Sequence, residues 1–221
     1  MNNHPIKSKY DLEMVPIGIG GKRLEFYRVG NWEPFIEKIL DHENSKFTDF
    51  PMWIKIWEAS LVLADYLLDG VSKTPKTVLE LGAGMGITGM FLAAFDHQVT
   101  LTDNEDDSLA LLRLNAAHNG LMNNVHIKKL DWHQPDLTAQ FDIICGSEVI
   151  YKESNIQPVE KLIQKYLKPD GAVYLAHDRQ RMNMEKFIKQ LPKDLAVEEI
   201  GKTFTGKDTA RRIMIHIIGY A

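Results

Sequence analysis

Between residues 77 and 176, short apolar runs alternate with longer stretches in which apolar positions return every three or four residues. The runs predict strands at 77–81, 98–102, 124–129, 141–146 and 172–176. The stretches between them predict helices at 86–95, 105–119 and 155–167. Strand and helix in alternation mark an α/β chain with a parallel sheet covered on both faces. The run Ile143-Ile144-Cys145 suits a strand buried on both sides. Upstream, Trp57, Leu61, Ala64 and Leu68 recur at helical spacing, which predicts a helix over 53–69. Downstream, a helix at 181–191 leads to strands near 195–200 and 211–219. The loop between these last two carries Gly206, so they are expected to form an antiparallel hairpin that completes a sheet of seven strands.

The first 52 residues follow a different pattern. Residues 1–10 read as a frayed tail. Residues 11–29 read as a β-hairpin turning at Gly18-Ile19-Gly20-Gly21. Asn31 can cap a short helix at 31–41 whose apolar face is Trp32, Ile36, Ile39 and Leu40. A charged loop closed by Pro51 follows. The expected organisation is an N-terminal extension, 1–52, and a main domain, 53–221.

Composition narrows the class. With 221 residues, 44% of them apolar, the chain can bury a core without disulfides or metal. The single cysteine, Cys145, excludes an internal disulfide and a thiolate zinc cluster, and the eight histidines lack metal-ligand spacing, so no metal is expected. No stretch is long and apolar enough to span a bilayer, and Met1-Asn2-Asn3-His4-Pro5 has no apolar signal core, so a cytoplasmic protein is expected. The net charge of −4 argues against a general nucleic-acid binder. The oligomeric state is not legible in the sequence.

In parallel sheets ligands bind beyond the carboxyl ends of the strands. The first main-domain strand ends in Glu80-Leu81-Gly82-Ala83-Gly84-Met85-Gly86-Ile87. Glycines allow tight turns and close approach of a ligand, and a helix starting directly after them points free N–H groups into the loop. The dinucleotide fingerprint wants a glycine where Ile87 stands. Glu80 is a poor neighbour for a pyrophosphate and a good one for an ammonium or sulfonium. The second strand ends in Asp103, which can accept both ribose hydroxyls of an adenosine, or else cap the next helix. The third ends in Asp131-Trp132: a carboxylate for the adenine amine and an indole that stacks on the ring or packs in the core. Together these ends describe a pocket for an adenosine with a cationic, amine-bearing tail. S-adenosylmethionine fits it, with S-adenosylhomocysteine as product; NAD fits poorly.

With those motifs in place, residues 53–221 resemble the class I, seven-strand S-adenosylmethionine-dependent methyltransferases, a Rossmann-like fold. Glu80-x-Gly82-x-Gly84-x-Gly86 resembles their first motif, and Lys168-Pro169-Asp170-Gly171 the turn before their fifth strand. Trp57-Glu58-Ala59-Ser60 and Ser147-Glu148-Val149-Ile150-Tyr151 narrow the likeness. They resemble the protein methyltransferases grouped with the lysine methyltransferases of valosin-containing protein and electron-transfer flavoprotein. That group carries an acid-x-x-aromatic signature after its fourth strand. Its commoner acid is Asp; the glutamate found here as Glu148 also occurs in a relative that methylates a ribosomal-protein histidine. The resemblance implies a protein substrate, lysine before other side chains, with Trp57 lining the cofactor pocket and Glu148 and Tyr151 facing the acceptor.

Methyl transfer is direct displacement at a sulfonium, so the enzyme mainly aligns acceptor, methyl and sulfur. Glu148 is assigned to positioning the acceptor and to receiving its proton, and Tyr151 to a hydrogen bond and one wall of the channel. Alternatively Glu148 caps the next helix and Tyr151 packs. His177 and Asp178, at the fifth strand end, form either an acid–base pair or a polar loop capping the next helix. Neither the Asn-Pro-Pro-Tyr of nucleic-acid amino-methyltransferases nor an exposed nucleophilic cysteine is present; Cys145 falls in a buried strand. A small-molecule methyltransferase is the alternative reading, then a non-catalytic methyltransferase-like binding protein.

Overall fold

The structure is a computed structural model that describes residues 5–34, 37, 51–70, 74–206 and 210–221. Its centre is a seven-stranded sheet. The strands, in chain order, are β3 (Thr77–Glu80), β4 (Gln98–Asp103), β5 (Val125–Lys129), β6 (Phe141–Ser147), β7 (Leu167–Asp178), β8 (Leu195–Thr205) and β9 (Ala210–Tyr220). Their order across the sheet is β5-β4-β3-β6-β7-β9-β8. The first five are parallel neighbours, whereas β9 runs antiparallel to both β7 and β8.

Alternation along the strands sorts side chains into two layers. Val78, Ile143 and Ile215 face one apolar cluster, while Leu79, Ile144 and Ile218 face the other. Residues of helices α2 (Glu58–Gly70), α3 (Ile87–Ala94) and α4 (Asp106–His118) fill the first layer, and those of α5 (Ile156–Tyr166) and α6 (Asn183–Gln190) the second. The chain winds outward from β3 through β4 to β5, then returns to place β6 on the other side of β3. This reversal opens a crevice at the carboxyl ends of β3 and β6, where open α/β sheets bind ligands.

The N-terminal hairpin is β1 (Leu12–Ile19) and β2 (Lys22–Val29). Ile19 pairs with Lys22 across Gly20 and Gly21, whose φ of 60° and 79° give the two-residue turn that the strand twist favours. Its buried residues Leu24, Phe26 and Val29 belong to the same cluster as Phe91 and Leu112. The predicted frayed tail is corrected: Pro5–Lys9 form a short helix, α1, with Ile6 buried. Lys9 and the Tyr10 phenol both reach Asp107 on α4, which holds this segment down. Most of the predicted helix 31–41 lies outside the described residues.

Three further boundaries differ from expectation. The helix predicted over 53–69 is a 3-10 turn at Met52–Ile54 followed by α2 from Glu58. Trp57 therefore precedes the helix, its indole N–H donating to the Met52 carbonyl and its own carbonyl accepting from Ser60 Oγ. Strand β7 is longer than 172–176 and begins at Leu167. Phe141 pairs with Leu167 and Ile143 with Ala172, so Lys168-Pro169-Asp170-Gly171 is accommodated as a bulge rather than a free turn. The final hairpin also extends beyond both predicted strands, across β8 and β9. No described helix is long and apolar enough to cross a membrane.

Candidate active site

A cavity of about 490 Å³ opens at the carboxyl ends of β3, β4 and β6, within the range of small-molecule and cofactor sites. Gly82, Gly84 and Gly86 all take left-handed φ, at 57°, 55° and 75°. The two that line the cavity are closed in from outside. A Cβ on Gly82 would stand 3.3 Å from the Trp132 ring, and one on Gly84 would stand 3.5 Å from the Trp53 backbone. Gly86 lies behind the wall at the start of α3, where a Cβ would meet Leu112 at 2.5 Å. Its role here is to turn the chain and let α3 pack on the sheet.

Asp103 lines the cavity and organises the loop. Its Oδ2 accepts from the Gly84 N–H at 2.9 Å and its Oδ1 from the Glu105 N–H at 3.0 Å. Asp103 does not cap the next helix, which starts at Asp106 after Glu105; its carboxylate closes the turn before that helix and keeps lone pairs free for hydroxyl donors. Asp131 and Trp132 stand on the same wall, Asp131 exposed and turned by its bond from the His133 N–H, Trp132 half-buried under Gly82. Trp57 lines the same cavity.

Glu80 is the departure from the expected set. It is buried and absent from the cavity wall, with Oε2 accepting from the Gly89 N–H at 2.9 Å. Burial pushes its carboxyl up to about 8. Glu80 therefore joins β3 to the first turn of α3 behind the glycine loop. Gly89 leaves room for it: a Cβ there would stand 2.6 Å from Glu80 Oε2 and 2.3 Å from Leu101.

The β6 end forms the remaining wall. Glu148 has a φ of 56°, a left-handed conformation costing a non-glycine residue about 1 kcal/mol or more. Both ends of the residue are tied to β7: its N–H donates to the Ala176 carbonyl and its Oε1 accepts from the Asp178 N–H, each at 2.8 Å. Oε2 accepts from Arg181 Nε at 2.8 Å. The Arg181 guanidinium lies 5.8 Å from the Trp57 ring centroid. Tyr151 is half-buried on the cavity wall, and burial pushes its phenol upward. The structure thus places Glu148, Tyr151, Trp57, Gly82, Gly84, Asp103, Asp131 and Trp132 around one cavity and leaves Glu80 and Gly86 behind it.

Sequence reasoning missed Arg181, Arg211 and the pairing of Glu58. Arg211 bridges Asp178 at 3.0 Å and Glu58 at 3.4 Å. Against the upward pull of burial, the Gln180 N–H and Arg211 hold Asp178 below the usual carboxylate range. The available signal was position: both Asp178 and Arg181 follow the fifth strand on the ligand edge. His177 and Asp178 form no side-chain pair. His177 Nδ1 contacts the Asp178 carbonyl, and its Nε2 meets His216 Nε2 at 2.9 Å with the rings stacked. Burial, then the neighbouring His177, pushes His216 down to about 4. Cys145 is buried, and burial raises its thiol well above the ordinary range, so it is no nucleophile. Among the described residues no group of side chains is arranged to hold a metal ion.

This fold, with a glycine loop, an acid at the second strand end and an acid-x-x-Tyr after the fourth, defines a methyltransferase of the seven-strand class. Residues 37–194 match the model of a family described as lysine methyltransferase, and the chain belongs to that family. It is 30% identical to Protein N-lysine methyltransferase METTL21A of Danio rerio over 66% of this chain and 69% of that one. It is equally 30% identical to the Histidine protein methyltransferase 1 homolog of Dictyostelium discoideum, over 63% of this chain but only 47% of that one. Among solved structures, a Thermus thermophilus 16S rRNA N2 G1207 methyltransferase superposes with a TM-score of 0.62 at 18% identity, covering 95% of this chain and 51% of that one. That likeness concerns the fold alone.

Proposed function

We propose that this chain transfers a methyl group from S-adenosylmethionine to a lysine side chain of a protein. The observation that carries this reading is that Glu148 and Tyr151 line the same cavity as Gly82, Gly84 and Asp103. Asp103 would receive the ribose, Asp131 and Trp132 the adenine, and Trp57 the rim beside the acceptor. The lysine nitrogen attacks the methyl carbon, the carbon–sulfur bond breaks with its electrons left on sulfur, and S-adenosylhomocysteine leaves. The proton of the original ammonium leaves to water before the attack, and the product is a methylammonium.

The acceptor must arrive as a free amine, which at pH 7 costs about 4.6 kcal/mol for an ordinary lysine. Glu148 orients it through lone pairs not used by Arg181 and Asp178. Both its oxygens already accept hydrogen bonds, one from a guanidinium, so Glu148 is assigned to orienting the amine and water to receiving the proton. The single, buried Cys145 suits a reducing compartment, and the cytoplasm is the location proposed.

A histidine acceptor is the second reading, favoured by the glutamate at position 148 and by the Dictyostelium relative. Incubating the purified chain with methyl-tritiated S-adenosylmethionine and cell extract, then hydrolysing the labelled protein, separates the readings. Methyl-lysine is the expected product. Methylhistidine would move the second reading to first, and label confined to small molecules would contradict both.

A further inference from the structure

An acid beside the acceptor creates a conflict. A carboxylate orients an amine well, but its charge also favours the ammonium, which cannot attack. The charges around Glu148 show how this chain meets it. Asp178 and Glu58 share Arg211, which bridges them from β9 at 3.0 and 3.4 Å. Lys55 lies 4.8 Å from the Trp57 ring centroid, and Lys152 lies 5.4 Å from that of Tyr151. The stacked pair His177–His216 lies on β7 and β9, with His177 adjoining Asp178. Glu148 itself is 9% exposed, and Arg181 Nε contacts its Oε2 at 2.8 Å. That guanidinium also lies over the Trp57 ring, 5.8 Å from its centroid.

We propose that Arg181 is a positioning residue that neutralises Glu148, so that this acid orients the acceptor amine without trapping it as an ammonium. The inference rests on the lysine reading above. It gives a function to the loop after β7, and it explains why the acid is held by a guanidinium rather than left free. Arginine suits the task because it stays charged at every working pH and presents a planar face to the indole.

The test compares wild type, Arg181→Gln and Arg181→Lys. Initial rates of tritiated methyl transfer to the proteins of one heat-treated cell extract are followed from pH 6 to 10, with S-adenosylhomocysteine affinity measured in parallel. Gln keeps a hydrogen-bond donor and loses the charge. The proposal expects the rising limb of its pH profile to move up by about one unit, since a lone carboxylate beside a cation shifts it by that order. Transfer would then be about tenfold slower than wild type below the limb, with the gap narrowing as the pH rises into the limb, at unchanged cofactor affinity. Lys restores the wild-type limb. An equal loss at every pH, with the limb unmoved, would overturn the proposal and leave Arg181 a structural tie. The hydrolysate of the wild-type reaction is read separately: methylhistidine there would remove the lysine reading itself, whatever the limb does.

Discussion

The two halves of the cavity are built from different materials. The half beneath β3, β4 and β5 is shaped by backbone: two left-handed glycines on the wall and an acid bonded to a glycine N–H, with a third glycine and a buried carboxyl behind them. Beneath β6, β7 and β9, Glu148 lines the cavity and is backed by charged side chains: Arg181 pairs with Glu148, and Arg211 pairs with Asp178 and Glu58. Backbone donors and close packing give a fixed mould, which suits a cofactor that does not vary. Ion pairs with partly exposed members can be rearranged at modest cost, which suits a surface that must admit part of another protein. Damage to the first half is therefore expected to appear as lost stability and cofactor affinity, and damage to the second as lost transfer.

The largest expected effect belongs to Glu80. Its folded carboxyl is raised to about 8 by burial, so the folded state holds a proton that the unfolded chain releases near the ordinary value. That contribution to stability is fully present below the unfolded value and is lost as pH rises through about 8. Glu80→Gln keeps an acceptor for the Gly89 N–H and has nothing to ionise. Urea denaturation should show it ahead of wild type by about 4 kcal/mol at pH 8.5, and by little at pH 5. Parallel loss of stability in the two proteins would mean that Glu80 is ionised in the fold.

Gly86→Ala comes next. The left-handed φ and the clash with Leu112 together cost about 3 kcal/mol, read as an earlier urea midpoint. An unchanged midpoint would show that the mould yields more readily than its packing implies. Tyr151→Phe probes the other half at smaller scale. It removes the hydroxyl that would bond the acceptor in the channel, worth about 1 kcal/mol, or a roughly fivefold slower transfer. Its stability and cofactor affinity should stay at wild type, and a fall in affinity would place Tyr151 in the cofactor half.

The same contrast governs how much was legible in the sequence. Gly82, Gly84, Asp103, Asp131 and Trp132 follow consecutive strands, so recognising the strands located the cofactor wall. The antiparallel end was legible from the short loop with Gly206 that joins the last two strands, whereas the order of the strands across the sheet leaves no mark in the pattern. Glu148 and Arg181 are 33 positions apart, and Arg211 reaches Asp178 across two antiparallel strands. Such pairs leave no periodic trace. Glu80 was misplaced because an acid two residues before a glycine loop can point along the ligand path or back under the next helix, and only the Gly89 N–H decides. The N-terminal residues looked like a tail because their anchor, Asp107, lies 97 positions from Tyr10. The break before α2 was hidden by apolar residues that continue at helical spacing through the 3-10 turn.

One double comparison tests the division of labour most directly: S-adenosylhomocysteine affinity by calorimetry and methyl-transfer rate, each for Asp103→Asn and Glu148→Gln. The account predicts that Asp103→Asn weakens cofactor binding at least tenfold, and that Glu148→Gln leaves binding within about threefold while transfer falls a hundredfold or more. Cofactor affinity that collapses in Glu148→Gln, or survives intact in Asp103→Asn, would contradict it.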